Sequence, residues 1–143
     1  VKKNDIITVE IKEMEFGGFG IGYYDGKRVK IKGAFLGQKI KAKIKKIKKE
    51  ILEAETVEIV ENSPLEKESL CPLFGDCGGC TYQNVDYLEQ LKIKENIVKK
   101  LLEKEGIKDY KFLGIVKSPK EHGYRNKMEY TFGKDKEGNE VLG

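Results

Sequence analysis

Three cysteines stand close together, Cys71, Cys77 and Cys80, in a Cys-x5-Cys-x2-Cys spacing with glycine at 75, 78 and 79. Thiolates grouped this tightly suit soft metals, and glycines let a loop fold until several sulfurs face one centre. Thiolate sites with short spacings fit zinc or an iron–sulfur cluster, and both normally take four protein ligands when structural. The chain offers three cysteines and one histidine, His122. A Cys3His zinc site is therefore arithmetically open. So are two plainer readings: buried or reactive thiols, with Cys77 and Cys80 joined by oxidation, and a His122 that simply faces solvent beside Gly123. An odd number of clustered cysteines is not a disulfide framework.

The second feature with chemistry in it is charge. Net charge is a modest +4, but Lys27 to Lys49 holds 11 basic residues and no acidic one. Such a run points to a polyanion partner. The plain alternative is a set of solvated strand faces in a lysine-rich chain. Lys30, Lys32, Lys41, Lys43 and Lys45 alternate with apolar residues, so they fall on outward faces and are candidates to meet phosphates. Phe19, Tyr23 and Tyr24 lie near a glycine-rich loop and suit stacking on unpaired bases. Filling a core is at least as good a reading for Phe19 and Phe35. Arg125 and Lys127 alternate further along and are further candidates to touch nucleic acid. Gly17, Gly18, Gly20 and Gly22 do not fit G-x-G-x-x-G and no helix follows them, which excludes a dinucleotide loop there.

The elements that must position these groups begin with strands. Ile7, Val9 and Ile11 alternate with polar residues, as do Val29 and Ile31, and Ile40, Ala42 and Ile44. Asp25-Gly26 is a two-residue hairpin signal. The phase slips at Lys45-Lys46, which predicts a bulge, and slips again in a fifth strand over 51–60, between Leu52 and Ala54 and then Val57 and Ile59. Five short strands with seven glycines between Gly17 and Gly37 suggest a small closed barrel, which leaves no exposed edge. Residues 61–64 break the pattern and read as a linker. A helix is expected from Asn84 or Asp86 to Gly106, with Tyr87, Leu88, Leu91, Ile97, Val98, Leu101 and Leu102 on one half of its wheel. Lys94 and Glu95 share that half. Strands are expected over 112–116 and 124–132, and another from Glu140.

The chain of 143 residues is about one domain, or a small domain with an appendage. No apolar run approaches the roughly 18 residues of a membrane span, and the N-terminus lacks a secretory core, so a cytoplasmic protein without a membrane partner is expected.

Residues 71–83, Cys-Pro-Leu-Phe-Gly-Asp-Cys-Gly-Gly-Cys-Thr-Tyr-Gln, closely resemble the iron–sulfur signature of the RNA uracil-5-methyltransferase family. Tyr-Leu-Glu-Gln-Leu-Lys at 87–92 and Tyr-Arg-Asn-Lys-Met-Glu-Tyr at 124–130 resemble segments that follow it there. The resemblance implies a mainly β fold with some α. Residues 1–60 would form the family's TRAM domain, a five-stranded OB-like barrel that binds RNA. Residues 61–83 would be linker and cysteine loop, and 84–143 the helix and strands that open a central domain. It further implies that Cys71, Cys77 and Cys80 hold a 4Fe-4S cluster whose fourth ligand lies outside this chain. S-adenosylmethionine would be bound by a domain likewise outside it, and with it the nucleophile and base. No catalytic residue is expected within the chain. The implied partner is RNA, ribosomal by the best-known member, and a monomer is expected. Two other readings stand beside it: a free-standing RNA-binding adaptor with a Cys3His zinc site using His122, and a structural module whose basic strand meets acidic protein.

Overall fold

A computed structural model describes residues 1–135 and 137–142. The expected barrel is present. Strands β1 (Ile6–Glu15), β2 (Phe19–Tyr24), β3 (Lys27–Lys32), β4 (Lys39–Ile47) and β5 (Ile51–Glu61) close in the order β1-β2-β3-β5-β4. Only β3 and β5 run parallel; every other neighbour in the barrel is antiparallel. This is the five-stranded connectivity of an OB-like barrel. The alternating residues Ile7, Val9, Ile11, Val29, Ile31, Ile40, Ala42, Ile44 and Leu52 all point inward and are buried. Asp25 and Gly26 both take positive φ, 49° and 71°, as the two-residue hairpin requires.

Both phase slips occur where the side-chain pattern breaks. The β4–β5 register shifts between Ile44 and Lys46, and again where Lys41 faces Glu58 but Ala42 faces Thr56. Val57 and Ile59 are nonetheless about half exposed. β3 pairs with β5 only over residues 51–54, so beyond Ala54 that edge of β5 has no strand beside it among the described residues.

Two inward glycines set how tightly the barrel closes. A Cβ on Gly22 would lie 2.4 Å from Val9 Cγ2 and 2.5 Å from the Glu10 carbonyl oxygen. One on Gly20 would lie 2.7 Å from the Ala34 carbonyl oxygen. These are packing requirements: β1 and the segment after β3 cross where any larger residue would stand.

Helix α1 (Tyr87–Lys104) starts after Asp86, one of the two expected starts, but the Asp86 side chain makes no capping hydrogen bond and pairs with Lys67 instead. Its end is a Schellman turn: Gly106, at φ 74°, donates to the Glu103 carbonyl, and Ile107 donates to that of Leu102. The buried face differs from the wheel. Ile93 and Ile97 are buried, whereas Leu88, Val98 and Leu101 are exposed. The helix meets the barrel along a narrow strip on β1, which covers less than the apolar half available. Lys94 is exposed, and Glu95 pairs with Lys99 at 2.5 Å.

Residues 61–64 are a fixed junction: Ser63 is 4% exposed, and Val85, Ile93 and Ile97 join the same apolar core as the barrel. The strands expected over 112–116 and 124–132 are not formed; that backbone is irregular up to β6 (Phe132–Lys134), which pairs with β7 (Glu140–Leu142). Alternation alone does not make a strand. Among the described residues no neighbouring strand offers 112–131 a ladder, and Leu113 and Val116 stay 85% and 96% exposed. No helix among these residues is long and apolar enough to cross a membrane.

Candidate nucleic-acid interface and cysteine loop

Register places the outer face. Opposite the inward Val29 and Ile31 stand Gly22 and Gly20, so Phe19, Ile21 and Tyr23 share the outer side with Lys32, Lys30 and Arg28. β1 adds Glu13 opposite Ile21 and Glu15 opposite Phe19. The β2–β3 face and the β1–β2 and β4–β5 loops are where OB-type barrels take oligonucleotides.

Most cations on this face already have a carboxylate. Arg28 donates to Glu15 at 2.7 Å, and Lys30 bonds the other oxygen of Glu15. The Tyr23 hydroxyl donates to Glu13 at 2.9 Å, and Lys100 of α1 reaches the second Glu13 oxygen. Ile21 sits in the cross-strand row between Glu13 and Lys30 and is fully buried, though it faces outward. The aliphatic stems of the charged residues cover apolar surface in this way. Lys30 Nζ also lies 4.0 Å from the centre of the Phe19 ring.

Three of the five lysines of β4 are paired across the ladder with β5. Lys39 pairs with Glu61, Lys41 with Glu58 and Lys45 with Glu55, at 2.7–2.8 Å. The acids lie outside the 27–49 window in sequence but opposite it in register. Of the five lysines expected to meet phosphates, Lys30, Lys41 and Lys45 are ion-paired. Lys32 and Lys43 have no carboxylate within 4 Å among the described residues. Exposed pairs of this kind are weak, about 0–1 kcal/mol, so they discourage a competing phosphate without blocking it.

These pairs leave a pH signature. Lys100's hydrogen bond, ahead of Tyr23's, holds the Glu13 carboxyl below its usual range. Burial pushes Glu15 up, but Lys30 and Arg28 outweigh it and its pKa is lowered. The Tyr23 phenol is raised because its proton serves Glu13. A lowered carboxylate stabilises the fold fully above its unfolded pKa, about 4.3 for Glu, and loses that contribution as pH falls through the folded value. Glu13→Gln should therefore lower stability at pH 7, with the difference from wild type fading below about pH 4. Denaturation midpoints across that window measure it; a gap that persists at low pH would mean that the ionised carboxylate is not what Glu13 contributes.

The cysteine loop is closed at its ends by one side chain. Gln83 accepts from the Cys71 N–H at 2.9 Å and donates from Nε2 to Cys80 Sγ at 3.8 Å. Inside it, the N–H groups of Phe74 and Cys77 bond the Cys71 and Leu73 carbonyls, at 3.1 and 2.9 Å. All three thiols are free, Cys71 half-buried and the others exposed. The donor set fits a soft metal or an iron–sulfur group. The arrangement does not yet gather it: among the described residues no three of His, Cys, Asp or Glu converge to hold a metal ion. His122 lies exposed in irregular backbone.

The loop is braced against the barrel. A Cβ on Gly18, in the β1–β2 loop, would lie 2.9 Å from Thr81 Cγ2. Tyr82 meets Phe35 edge-on, with ring centres 6.1 Å apart, and burial pushes its phenol pKa up. Gln38, 4% exposed, accepts from the Phe35 N–H at 2.8 Å and donates to Glu66 at 2.9 Å. Glu66 also accepts from the Ser63 N–H at 2.8 Å and from Asn84 at 3.0 Å. Phe35 is thus a core residue, as its plainer reading had it.

Arg125 and Lys127 do not alternate on a strand. Both are exposed in irregular backbone, Arg125 near Met128 Sδ and Lys127 paired with Glu129. Residues that the sequence reading missed are Glu13, Glu15, Arg28 and Lys100, which organise the outer face, and Phe16, 72% exposed in the β1–β2 loop. Arg28 alternates with Val29 as Lys30 does, so its signal was there. Lys100 meets Glu13 only through tertiary packing.

Residues 1–57 match the TRAM domain family. The chain is 60% identical over 141 residues to an uncharacterized RNA methyltransferase of Caldanaerobacter subterraneus subsp. tengcongensis, covering 99% of this chain and 31% of that protein. It is 43% identical over 141 residues to one from Clostridium acetobutylicum, with the same coverage. To one from Aquifex aeolicus it is 31% identical over 137 residues, 95% of this chain and 32% of the relative. The chain therefore spans about a third of the length of these curated relatives.

Proposed function

We propose that this chain is the RNA-recognition and cysteine-loop portion of an S-adenosylmethionine-dependent RNA uridine C5-methyltransferase acting on ribosomal RNA. The observation that carries the reading is the OB-like barrel matched by the TRAM family at one end of a chain whose relatives are named RNA methyltransferases. Supporting it, the β2–β3 face presents aromatic and cationic side chains together, as single-strand binding requires.

In this reading the barrel positions and the remainder of the protein does the chemistry. Lys32 and Lys43 supply phosphate contacts first, because they surrender no ion pair to do so. Tyr23 and Phe19 line the route of the bases. Cys71, Cys77 and Cys80 would hold three irons of a 4Fe-4S cluster once the glycine-rich loop draws them together. Such a cluster would fix the loop that Thr81 and Tyr82 press on the barrel. Methyl transfer moves no net electrons, so that role is structural.

Binding of single-stranded RNA by the intact protein as a function of salt tests the recognition role. Affinity should fall steeply with salt, by about 0.7 in log–log slope per phosphate contact. Replacing Lys32 and Lys43 by alanine should flatten that slope more than replacing Lys41 and Lys45. Equal slopes for both pairs would mean that the ion pairs do not set the order of contacts, and absence of RNA binding would contradict the function. Iron and sulfide analysis of protein made without oxygen tests the cluster; stoichiometric zinc without iron would contradict it.

A further inference from the structure

We infer that Phe16 is a base-stacking residue that captures an unpaired nucleotide at the tip of the β1–β2 loop. This rests on the RNA-binding reading above and adds to it a residue and a strand preference. Phe16 is 72% exposed, more than any other large apolar residue of the barrel. It is presented by a tight glycine turn. Gly17 and Gly18 follow it with φ of 90° and 74°, conformations that only glycine adopts without strain.

That turn is fixed from both sides. A Cβ on Gly17 would meet the Phe19 ring at 3.1 Å, and one on Gly18 would meet Thr81 of the cysteine loop at 2.9 Å. The surroundings supply the other half of a nucleotide site. Phe19 pairs in register with Lys32, which has no carboxylate partner among the described residues, and carries Lys30 over its ring. An exposed ring three residues before Phe19, whose register partner Lys32 has no carboxylate among the described residues, offers a base a stacking face and its phosphate a cation. Stacking of this kind tolerates any base but requires it to be unpaired, so a duplex gains nothing from it.

The test uses the intact protein with a single-stranded oligouridylate of about twelve nucleotides carrying one 2-aminopurine, and a blunt RNA duplex of equal length as comparison. Phe16→Ala should weaken single-strand binding about tenfold, leave the salt slope and duplex binding unchanged, and abolish the stacking quench of 2-aminopurine fluorescence. Phe16→Trp should restore binding and quench. Because Phe16 is exposed, the melting temperature of both variants should match wild type. If Phe16→Ala binds like wild type while Lys32→Ala weakens binding, the RNA reading stands and the stacking inference is overturned. A fall in melting temperature with unchanged RNA affinity would assign the ring to intramolecular packing and equally overturn it. If no protein binds either RNA, the functional reading fails and this inference with it.

Discussion

Gly22→Ala is expected to be the most damaging single-methyl change in this protein. The added carbon would stand 2.4 Å from Val9 Cγ2 and 2.5 Å from a carbonyl oxygen of the backbone. Val9 is itself buried in the barrel, so it has no free space to retreat into, and a backbone oxygen moves only if β1 moves. Overpacking against a closed core costs about 3 kcal/mol, a large share of a total stability of about 5–15 kcal/mol. A useful comparison is Gly26→Ala. Gly26 has φ 71° and nothing within 4 Å of its Cβ direction, so that change meets only the left-handed conformational penalty, about 1 kcal/mol. Chemical denaturation of the two variants should separate them clearly. Equal losses would mean that β1 yields to the added methyl and that the crossing is looser than described.

The second large effect is expected at Glu66. Its two oxygens accept from Gln38, Ser63 and Asn84, and Gln38 in turn holds the Phe35 N–H. Glu66→Ala removes the shared acceptor and strands the Gln38 side-chain amide in a buried place, together with the Ser63 N–H. Leaving buried donors without acceptors costs about 1–3 kcal/mol each, so a loss of about 3 kcal/mol is expected. The loss should also be localised. Residues 63–67 lie beside 84–86, with Lys67 N–H donating to Asn84 and Glu66 bridging Val85, so the base of the cysteine loop should open. Limited proteolysis should then cut within 67–83 at least several times faster than in wild type. A variant that loses stability without faster cleavage there would place Glu66 in the barrel's economy alone and sever the proposed junction.

The barrel was legible in the sequence because its signals are local. Period-two alternation placed Ile7, Val9 and Ile11 inside, Asp25-Gly26 set the hairpin, and the doubled lysine at 45–46 marked the bulge. The helix stop at Gly106 was legible for the same reason, whereas the start fell after Asp86 without the side-chain cap that its residue type suggested. What the sequence did not reveal depends on partners distant along the chain. Eleven cations without an acid read as a free basic surface, but β5 lays Glu55, Glu58 and Glu61 across from them. Ile93 is buried with Ile97 in the core shared with the barrel, while Leu88, Val98 and Leu101 are not; a wheel cannot tell which part of a broad apolar half finds a neighbour. The segments over 112–116 and 124–132 have strand-like patterns but no ladder to join among the described residues. The cysteine motif was conspicuous by spacing alone, whereas its bracing by Gln83, Thr81 and Tyr82 became visible only in three dimensions.

The whole reading is tested most directly by nucleoside analysis of ribosomal RNA lacking natural modifications, after incubation of the intact protein with methyl-labelled S-adenosylmethionine. The account predicts label in 5-methyluridine. Label in another nucleoside, or none under conditions where the protein binds the RNA, would contradict it.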